Sequence, residues 1–244
     1  MPRLLITIPT WNEAATLEQT LATVTEFARV SLSLHDVIVE VADNGSTDET
    51  RKIAQEFSSR EPMVSVLVLS ERGKGIAIRR SWEWHVADRD ILIFTDADLA
   101  ADLSVLPTLV ERIEQGSADL VCGSRFVAGA KVERSLRREL VSRAYRLVQR
   151  AWLHLPVQDA QCGLKAMSAK GASMVLPLCQ ETGWMLDSEL IAICAKKQLN
   201  IAEIPVSWVE QRDPGRRSAV HLLRDGYGFL LGLARIRRRV VSLD

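Results

Sequence analysis

The chain has 244 residues, of which 47% are apolar and 25% are charged, and its formal net charge is zero. This composition excludes long disorder, and the length suits one large α/β domain. A neutral chain has no overall charge to attract nucleic acid, and it lacks the run of about 18 apolar residues that would span a bilayer. We therefore expect neither a nucleic-acid partner nor a transmembrane helix.

The first half alternates apolar runs that predict buried strands with segments that predict helices. The predicted strands are 3–9, 36–43, 63–70, 90–96 and 118–125. The predicted helices are 13–29, 46–60, 73–87 with an initial loop, and 104–115. This alternation predicts right-handed crossovers and a mostly parallel sheet in an α/β fold.

The second half, 126–244, is predicted to be rich in helix, with one strand within 200–210. No linker or repeat separates the two halves, so we expect one domain over 1–244. Ligands of parallel sheets bind at the carboxyl ends of the strands. Polar and glycine residues are found at those ends, in segments 9–13, 43–46, 73–75, 96–98 and 123–125.

The most informative of these ends is "ILIFTDADLAADL" (91–103), which places Asp96, Asp98 and Asp102 within seven positions. Neighbouring carboxylates repel each other, which raises their pKa values unless a cation neutralises them. Carboxylate oxygens favour Mg²⁺ or Mn²⁺, and these ions also bind substrate phosphates. The alternative is a solvated cluster that caps the next helix. Spacing alone leaves both interpretations open.

Other loops also have two interpretations. Two residue pairs have the spacing of a helix-capping box, Thr10 with Glu13 and Ser46 with Glu49. The functional alternative places Glu13 and Asp43 beside a nucleotide base. In "RGKG" (72–75), backbone N–H groups and Lys74 could contact phosphates, although the stretch is not a Walker-type loop.

Taken together, the motifs resemble the family 2 glycosyltransferases, whose GT-A fold is a single Rossmann-like, mostly parallel sheet flanked by helices. The N-terminal motifs are "IPTWNEA" (8–14), "VADNGSTDET" (41–50) and "TDADL" (95–99). Four later stretches resemble the branch that acts on dolichyl or other polyprenyl phosphates: "GSR" (123–125), "DAQCGLKAM" (159–167), "WMLDSELI" (184–191) and "IPVSWVEQRDPGRRS" (204–218). The resemblance covers nearly the whole chain.

The resemblance implies a role for individual residues. The residues expected to bind the nucleotide are Pro9, Asn12, Glu13, Asp43, Lys74 and Asp96. Asp96 and Asp98 are expected to bind the divalent metal, Mg²⁺ or Mn²⁺. The residues expected to bind the acceptor phosphate are Arg125, Arg138, Ser142, Arg217 and Ser218. Asp98 and Asp187 are the catalytic candidates, with Asp187 or Glu189 facing the sugar side of the cleft.

The implied reaction is inverting hexose transfer from GDP-mannose or UDP-glucose to a polyprenyl or dolichyl phosphate. Residues 1–125 would bind the nucleotide sugar and 126–244 the acceptor. Because a phosphate acceptor is already anionic, it needs no strong general base. Two alternatives are a sugar or small-molecule hydroxyl as acceptor, with Asp187 as the base, and a non-catalytic nucleotide-sugar-binding protein.

Three positions depart from the family pattern. Asn44 replaces the second Asp of the D-D loop, Ala100 replaces a Gln that helps to bind metal in relatives, and Ala219 replaces a common Lys. Ala100 makes a glucosyl donor as plausible as a mannosyl donor.

Basic charge is concentrated in two segments, 125–150 and 212–239, each of which holds eight Arg or Lys against two acidic residues. In the first segment, basic residues and Ser142 recur every four residues along a predicted helix, next to an apolar face. In the second, 222–239 predicts an amphipathic helix that either lies on an anionic bilayer or packs on the core. Together with a lipid-phosphate acceptor, these features predict a peripheral membrane protein.

The location is expected to be the cytoplasmic face of a membrane. The four cysteines have no metal-ligand spacing, which favours buried thiols in a reducing cytosol. The N-terminal apolar run is too short for a signal peptide. The sequence does not indicate an oligomeric state.

Overall fold

A computed structural model describes residues 1–133, 136–210 and 222–243, without the side chains of 136–141 and 222–227. The strands are β1 (Arg3–Thr10), β2 (Asp36–Asn44), β3 (Val64–Leu69), β4 (Ile91–Thr95), β5 (Leu120–Ser124), β6 (Lys131–Glu133), β7 (Leu164–Ser168), β8 (Ile201–Pro205) and β9 (Ser207–Val209). The helices are α1 (Leu17–Ser31), α2 (Thr50–Arg60), α3 (Lys74–His85), α4 (Leu106–Glu114), α5 (Leu136–Leu153), α6 (Ala169–Val175), α7 (Leu186–Lys196) and α8 (Leu222–Val241). Short 3₁₀ turns precede α4 and follow α6.

The main sheet has seven strands in the order β3-β2-β1-β4-β7-β5-β8 within the described residues. Its strand pairs are parallel except for those of β7, which runs antiparallel to both β4 and β5. A second sheet pairs β6 with β9. The predicted mostly parallel α/β sheet is confirmed, and each of its five predicted strands is present.

Burial explains why the first strands were recognisable. Leu4, Leu5 and Ile6 in β1 are fully buried, because helices cover both faces of the sheet. One core packs α1, α2 and α4 on one face, and the other packs α3, α6, α7 and α8 on the opposite face. Strands from both sides of residue 125 share this sheet, so the two proposed halves are joined through one structure.

Two helices begin later than predicted. α1 begins at Leu17 rather than residue 13, and α2 begins at Thr50 rather than residue 46. The hydroxyl of Ser46 accepts a hydrogen bond from the Asn12 N–H at 3.0 Å instead of capping α2. Both capping-box interpretations are wrong, because the cap residues are Thr16 for α1 and Glu49 for α2, and neither side chain accepts a capping hydrogen bond.

The sequence did not predict β7. Its residues, Leu164–Ser168, lie in a part of the chain that was predicted to be rich in helix. Lys165 interrupts the apolar residues of this segment, and its hydrogen bonding to β4 and β5 is what makes it a strand. The single strand predicted within 200–210 divides into β8 and β9 around Val206.

Two further expectations can be compared with the fold. All four cysteines are free and buried, as predicted for structural thiols. In the described part of the chain, no helix combines the length and the apolarity needed to cross a membrane.

Candidate active site

The carboxyl ends of β1, β2 and β4 meet at one edge of the sheet. Asp96 immediately follows β4, and its backbone N–H donates to the Gly163 carbonyl at 3.0 Å. A Cβ atom on Gly163 would lie 1.8 Å from Oδ2 of Asp96, so only glycine fits beside this carboxylate. Leu99 has a positive φ of 47°, and this tight turn keeps Asp98 close to the strand end.

Asp98 lies in an electrostatically unfavourable position. It retains exposed surface, and its Oδ1 accepts from the Ala100 N–H at 3.1 Å. Loss of hydration around its carboxyl group, followed by the charges of Asp96 and Glu13, raises the pKa of Asp98 above its ordinary value. A bound cation would relieve this repulsion.

Asp102 does not share that environment. Its side chain accepts from the Ser104 N–H at 2.8 Å and caps the 3₁₀ turn Leu103–Val105. Capping is therefore correct for Asp102, whereas Asp96 and Asp98 form the pair that could bind metal. No group of three or more His, Cys, Asp or Glu side chains with the geometry of a metal centre occurs among the described residues. Two carboxylates suit an ion such as Mg²⁺, which usually completes its coordination with water and phosphate oxygens.

Two lysines contact Asp187 of α7, and one of them links it to Asp96 of the acidic pair. Nζ of Lys74 lies 2.8 Å from Oδ1 of Asp96 and 3.6 Å from Oδ2 of Asp187. Nζ of Lys165 donates to Oδ1 of Asp187 at 2.6 Å and to the Cys162 carbonyl at 2.7 Å. Lys165 is fully buried and Asp187 almost so, so each group depends on the other for neutralisation.

The same pairing controls the charge of the lysines. Burial lowers the pKa of Lys74, but the carboxylates of Asp187 and Asp96 outweigh this and raise it above the ordinary value. Burial and Asp187 act in the same opposing way on Lys165, whose pKa is also raised. Both lysines therefore remain cationic. Lys165 lies within the motif "DAQCGLKAM", but the motif alone predicts no role for it, because its partner Asp187 is 22 residues away.

The residues predicted to contact the base lie at the ends of β1 and β2 and in the loop after β1. Pro9 lies in β1 beside β2. The buried Asp43 accepts from the Ser46 N–H and from Nε of Arg51, each at 3.1 Å. Asn12 has a positive φ of 54° and accepts from the Thr47 N–H at 2.8 Å.

Asn44, at the end of β2, connects the end of β1 to the start of α3. Its Nδ2 donates to the Thr10 carbonyl at 2.7 Å, while its Oδ1 accepts from the Gly73 N–H at 2.9 Å. An ionised Asp could not donate the first of these bonds. The departure from the family's D-D pattern therefore has a structural function here.

The loop before α3 is shaped by close backbone contacts. Gly73 has a φ of 148°, and a Cβ atom there would lie 2.3 Å from the Thr182 carbonyl oxygen. A Cβ atom on Gly75 would lie 2.6 Å from the Gly183 carbonyl oxygen. These contacts fix the start of α3 and bring Lys74 to the acidic pair.

The predicted acceptor residues are only partly described. Arg125 binds Asp159 through Nε at 2.7 Å and Nη2 at 2.9 Å, with Trp208 close to its guanidinium group. Ser142 lies on α5 and is partly buried. The side chain of Arg138, and all of Arg217 and Ser218, lie outside the described residues.

Glu189 lies away from this cluster. It is fully buried, accepts from the N–H groups of Gln180 and Glu181 at 2.9 and 2.7 Å, and pairs with Arg239. Of the two residues expected to face the sugar, only Asp187 lies close to Lys74, which in turn pairs with Asp96. Glu189 instead neutralises a basic residue of α8.

Comparison with known proteins now decides the family. Residues 5–173, well over half of the chain, match the family described as Glycosyl transferase family 2. The chain belongs to the family 2 glycosyltransferases. The family predicted from the sequence motifs is confirmed.

Several relatives of this family 2 glycosyltransferase are curated proteins. Glycosyltransferase AglD of Haloferax volcanii is 32% identical over 91% of this chain and 35% of its own length. Dolichyl-phosphate beta-glucosyltransferase of Dictyostelium discoideum is 25% identical over 95% of this chain and 76% of its own. Undecaprenyl-phosphate mannosyltransferase of Micrococcus luteus is 31% identical over 86% of this chain and 84% of its own. The chain thus spans about a third of AglD but most of the other two.

A solved structure shares the fold of this glycosyltransferase. Glucosyl-3-phosphoglycerate synthase of Mycobacterium tuberculosis, in complex with Mn²⁺, UDP and glucosyl-3-phosphoglycerate, aligns with a TM-score of 0.68. The two chains are 21% identical, and the alignment covers 100% of this chain and 81% of the other. This likeness confirms the GT-A prediction.

Proposed function

We propose that the chain transfers a hexose, with inversion, from a nucleotide-diphosphate sugar to a polyprenyl phosphate. The observation that carries the proposal is the Asp96 and Asp98 pair, in which the pKa of Asp98 is raised beside a second carboxylate at a strand end. The names of the relatives support the acceptor class, since they are dolichyl-phosphate and undecaprenyl-phosphate transferases. These names include both glucosyl and mannosyl transfer, so both donors are retained.

On the donor side, Asp96 and Asp98 would hold a divalent cation, Mg²⁺ or Mn²⁺. The Mn²⁺ in the synthase that shares this fold supports that assignment. When bound, the cation would neutralise charge that builds on the leaving diphosphate. Lys74 lies next to Asp96 and would contact the same phosphates, while Asp43, Asn12 and Glu13 with Pro9 would form the base site.

On the acceptor side, the predicted phosphate ligands are Arg125, Arg138, Ser142, Arg217 and Ser218. Arg125 keeps Nη1 outside its two hydrogen bonds to Asp159, so the pair would hold this guanidinium in a fixed orientation. A fixed arginine can align an anionic acceptor for in-line attack on the sugar. The attacking oxygen is already ionised and needs no general base.

Asp187 supports a phosphate rather than a hydroxyl acceptor. Each of its two carboxylate oxygens lies against a lysine ammonium group, Lys165 on one side and Lys74 on the other. The buried carboxylate is thus the counter-ion of two lysines, a role that does not require it to take a proton from an attacking hydroxyl. The alternative reaction, with Asp187 as general base, is therefore less well supported.

A transfer assay tests the proposal. The purified chain is incubated with Mn²⁺, UDP-glucose or GDP-mannose, and a polyprenyl phosphate, and mass spectrometry identifies a hexosyl-phosphate lipid. We expect product with one donor and a loss of at least a hundredfold for Asp98→Ala. Full transfer by Asp98→Ala at saturating Mn²⁺ would contradict the metal site. Specific binding of a donor without turnover on any acceptor would instead favour the non-catalytic alternative.

The Asp187→Asn variant distinguishes the two acceptor classes. At saturating Mn²⁺ we expect only a modest loss of transfer to a polyprenyl phosphate. Complete loss in the folded variant, together with transfer by the wild type to a sugar hydroxyl, would establish the base-dependent reaction instead.

The proposed location is a peripheral position on the cytoplasmic face of a membrane, where a polyprenyl phosphate would be reached. An exposed apolar stripe on α5 supports it: Leu147 is 58% exposed and Trp152 45%. Arg143 is exposed on the same helix, and Arg237 of α8 lies over the Trp152 ring. Apolar side chains flanked by arginines are typical of surfaces that bind anionic bilayers.

A further inference from the structure

The Lys74 ammonium group supplies positive charge beside the acidic pair, Asp96 and Asp98. It lies 2.8 Å from one oxygen of Asp96, which is a predicted metal ligand. A divalent cation and this ammonium group would compete for the same carboxylate. Lys74 therefore has to be displaced from Asp96, at least in part, when a metal binds there.

Asp187 provides a second carboxylate for the displaced charge. Its Oδ2 is 3.6 Å from Nζ of Lys74, while its Oδ1 is held by the buried Lys165. The side chains thus form an alternating series of Asp96, Lys74, Asp187 and Lys165. Because Lys165 fixes Asp187, Lys74 can leave Asp96 without losing a negatively charged neighbour.

The position of Lys74 within α3 also favours an incoming anion. It is the first residue of this helix, and no acidic side chain occurs in the first turn. The N-terminal end of a helix carries partial positive charge, which makes a lysine there unfavourable and an anion favourable. A diphosphate would therefore compensate both the helix end and the displaced ammonium group.

We propose that Lys74 is an exchangeable counter-ion of Asp96, replaced there by the divalent cation and transferred to the donor diphosphate, with Asp187 and Lys165 as positioning residues. This inference rests on the proposed function, because it uses the same metal and donor sites. It adds that metal and nucleotide bind cooperatively. Metal alone meets a repelling lysine, whereas metal with a diphosphate supplies an anion for both positive groups.

Metal binding tests the inference without measuring transfer. Calorimetry gives the affinity for Mn²⁺ alone and for Mn²⁺ with saturating UDP or GDP, in the wild type and in Lys74→Met. We expect Lys74→Met to bind Mn²⁺ alone at least tenfold more tightly. We also expect the increase in Mn²⁺ affinity caused by nucleotide to be at least tenfold smaller in the variant, since the coupling is reciprocal.

Control variants separate this effect from a general change in charge or fold. Lys52→Met removes an exposed lysine that pairs with Glu49 on α2, and it should leave both affinities unchanged. Lys74→Gln keeps a polar side chain, and it should show the Mn²⁺ affinities expected of Lys74→Met even if the methionine variant does not fold. Asp187→Asn should weaken the binding of Mn²⁺ alone, because Lys74 then has only Asp96 as a partner.

The possible failures are distinguishable. If folded Lys74→Met and Lys74→Gln bind Mn²⁺ no more tightly than the wild type does, the counter-ion exchange is wrong while the metal site remains. If Asp187→Asn tightens Mn²⁺ binding, the positioning role of Asp187 is wrong. If no protein binds Mn²⁺, even with UDP or GDP, the metal site of the proposed function fails as well.

Discussion

At the scale of single residues, the candidate site contains one charge that is unfavourable for stability. Asp98 is placed beside Asp96, and the pKa of Asp98 is raised first by the surrounding protein and then by that charge. A raised carboxyl pKa means that ionising Asp98 costs more in the folded protein than in the unfolded chain. This cost is present above the folded pKa and disappears at low pH, where the group is protonated in both states.

The first prediction follows from that sign. Asp98→Asn should raise the melting temperature of the metal-free protein at pH 7 by ~1–3 °C, because the repulsion is removed while the Ala100 N–H can still donate to the amide oxygen. The gain should shrink as the pH falls toward 4. Differential scanning fluorimetry measures both effects. A lower melting temperature at pH 7 would show that the carboxylate stabilises the fold.

Single residues also explain a departure from the family pattern. Asn44 donates to the Thr10 carbonyl and accepts from the Gly73 N–H, so one amide joins the ends of β1 and β2 to the residue before α3. The sequence marked Asn44 only as a difference from relatives. Its contacts make it a structural link within the predicted donor site.

At the scale of elements, β7 determines the environment of Asp96. This strand runs antiparallel between β4 and β5, and the residues around its start, Gly163 and Lys165, pack against Asp96 and Asp187. The Asp96 carboxylate of the proposed donor site thus depends on a strand contributed by the second half of the chain. A substitution before β7 should consequently act on the metal site.

The second prediction tests this contact. Gly163→Ala should displace the Asp96 carboxylate, because its Cβ atom would lie 1.8 Å from Oδ2. We expect Mn²⁺ affinity in the presence of UDP or GDP to fall at least tenfold in a folded protein. Gly228→Ala is the matched control, since a Cβ atom there meets no atom within 4 Å. Unchanged Mn²⁺ binding by Gly163→Ala would exclude Asp96 as a ligand.

The two basic helices differ in how they use their apolar residues. α8 buries Leu233 and Ile236 in the core, which agrees with the interpretation of that segment as a core-packed helix with a basic end. α5 instead leaves Leu147, Val148 and Trp152 exposed. The apolar face predicted for the first basic segment is therefore real, and in this part of the helix it points outward.

The third prediction concerns that exposed face. Leu147→Glu should weaken binding to vesicles of phosphatidylcholine and phosphatidylglycerol at least fivefold, because a carboxylate replaces an apolar contact and repels anionic lipid. Val30→Glu makes the same change at an exposed valine on α1 and should have little effect. Vesicle co-sedimentation measures both. Equal binding by the wild type and Leu147→Glu would exclude this face as the membrane contact.

At the scale of the whole molecule, a polar network around the buried Asp159 connects the segment before β7 to β5 and β8. Asp159 binds the side chain and backbone N–H of Arg125, which follows β5. Glu203 of β8 accepts from the N–H groups of Gln158 and Asp159 at 2.7 and 2.9 Å. Burial raises the pKa of Asp159, but Arg125 outweighs it, and the net pKa is lowered.

The fourth prediction is that Asp159→Asn destabilises the fold by about 3–5 kcal/mol, since Arg125 loses its buried counter-charge. Because the folded pKa is lowered, ionised Asp159 contributes its full stabilisation above its unfolded pKa, which is about 4. This stabilisation is lost as the pH falls through the folded pKa. Urea denaturation at pH 7 and pH 3 measures both, and the difference between variant and wild type should be smaller at pH 3. Equal stability at pH 7 would show that the pair is dispensable for folding.

Much of the fold was determined by local sequence. The runs that became β1, β2 and β4 are mostly apolar, with Thr7 and Glu40 as buried exceptions, because both faces of these strands are covered. The ends of these strands and the turns after them carry the polar residues of the proposed donor site. Asp96 and Asp98 could be selected because their carboxylates follow such a strand at once. These features depend on neighbouring positions, so they can be read along the chain.

Only the tertiary structure decided which distant groups meet. Lys165 interrupts the apolar residues of β7, so this strand is not recognisable without its partners β4 and β5. Lys165 acquires its role from Asp187, which α7 brings next to it. The spacing of Ser46 and Glu49 favoured a local cap, yet Ser46 instead bonds to Asn12, 34 residues away. Local pattern determines the elements and the residues at their ends, whereas the pairing of buried charges depends on which elements pack together.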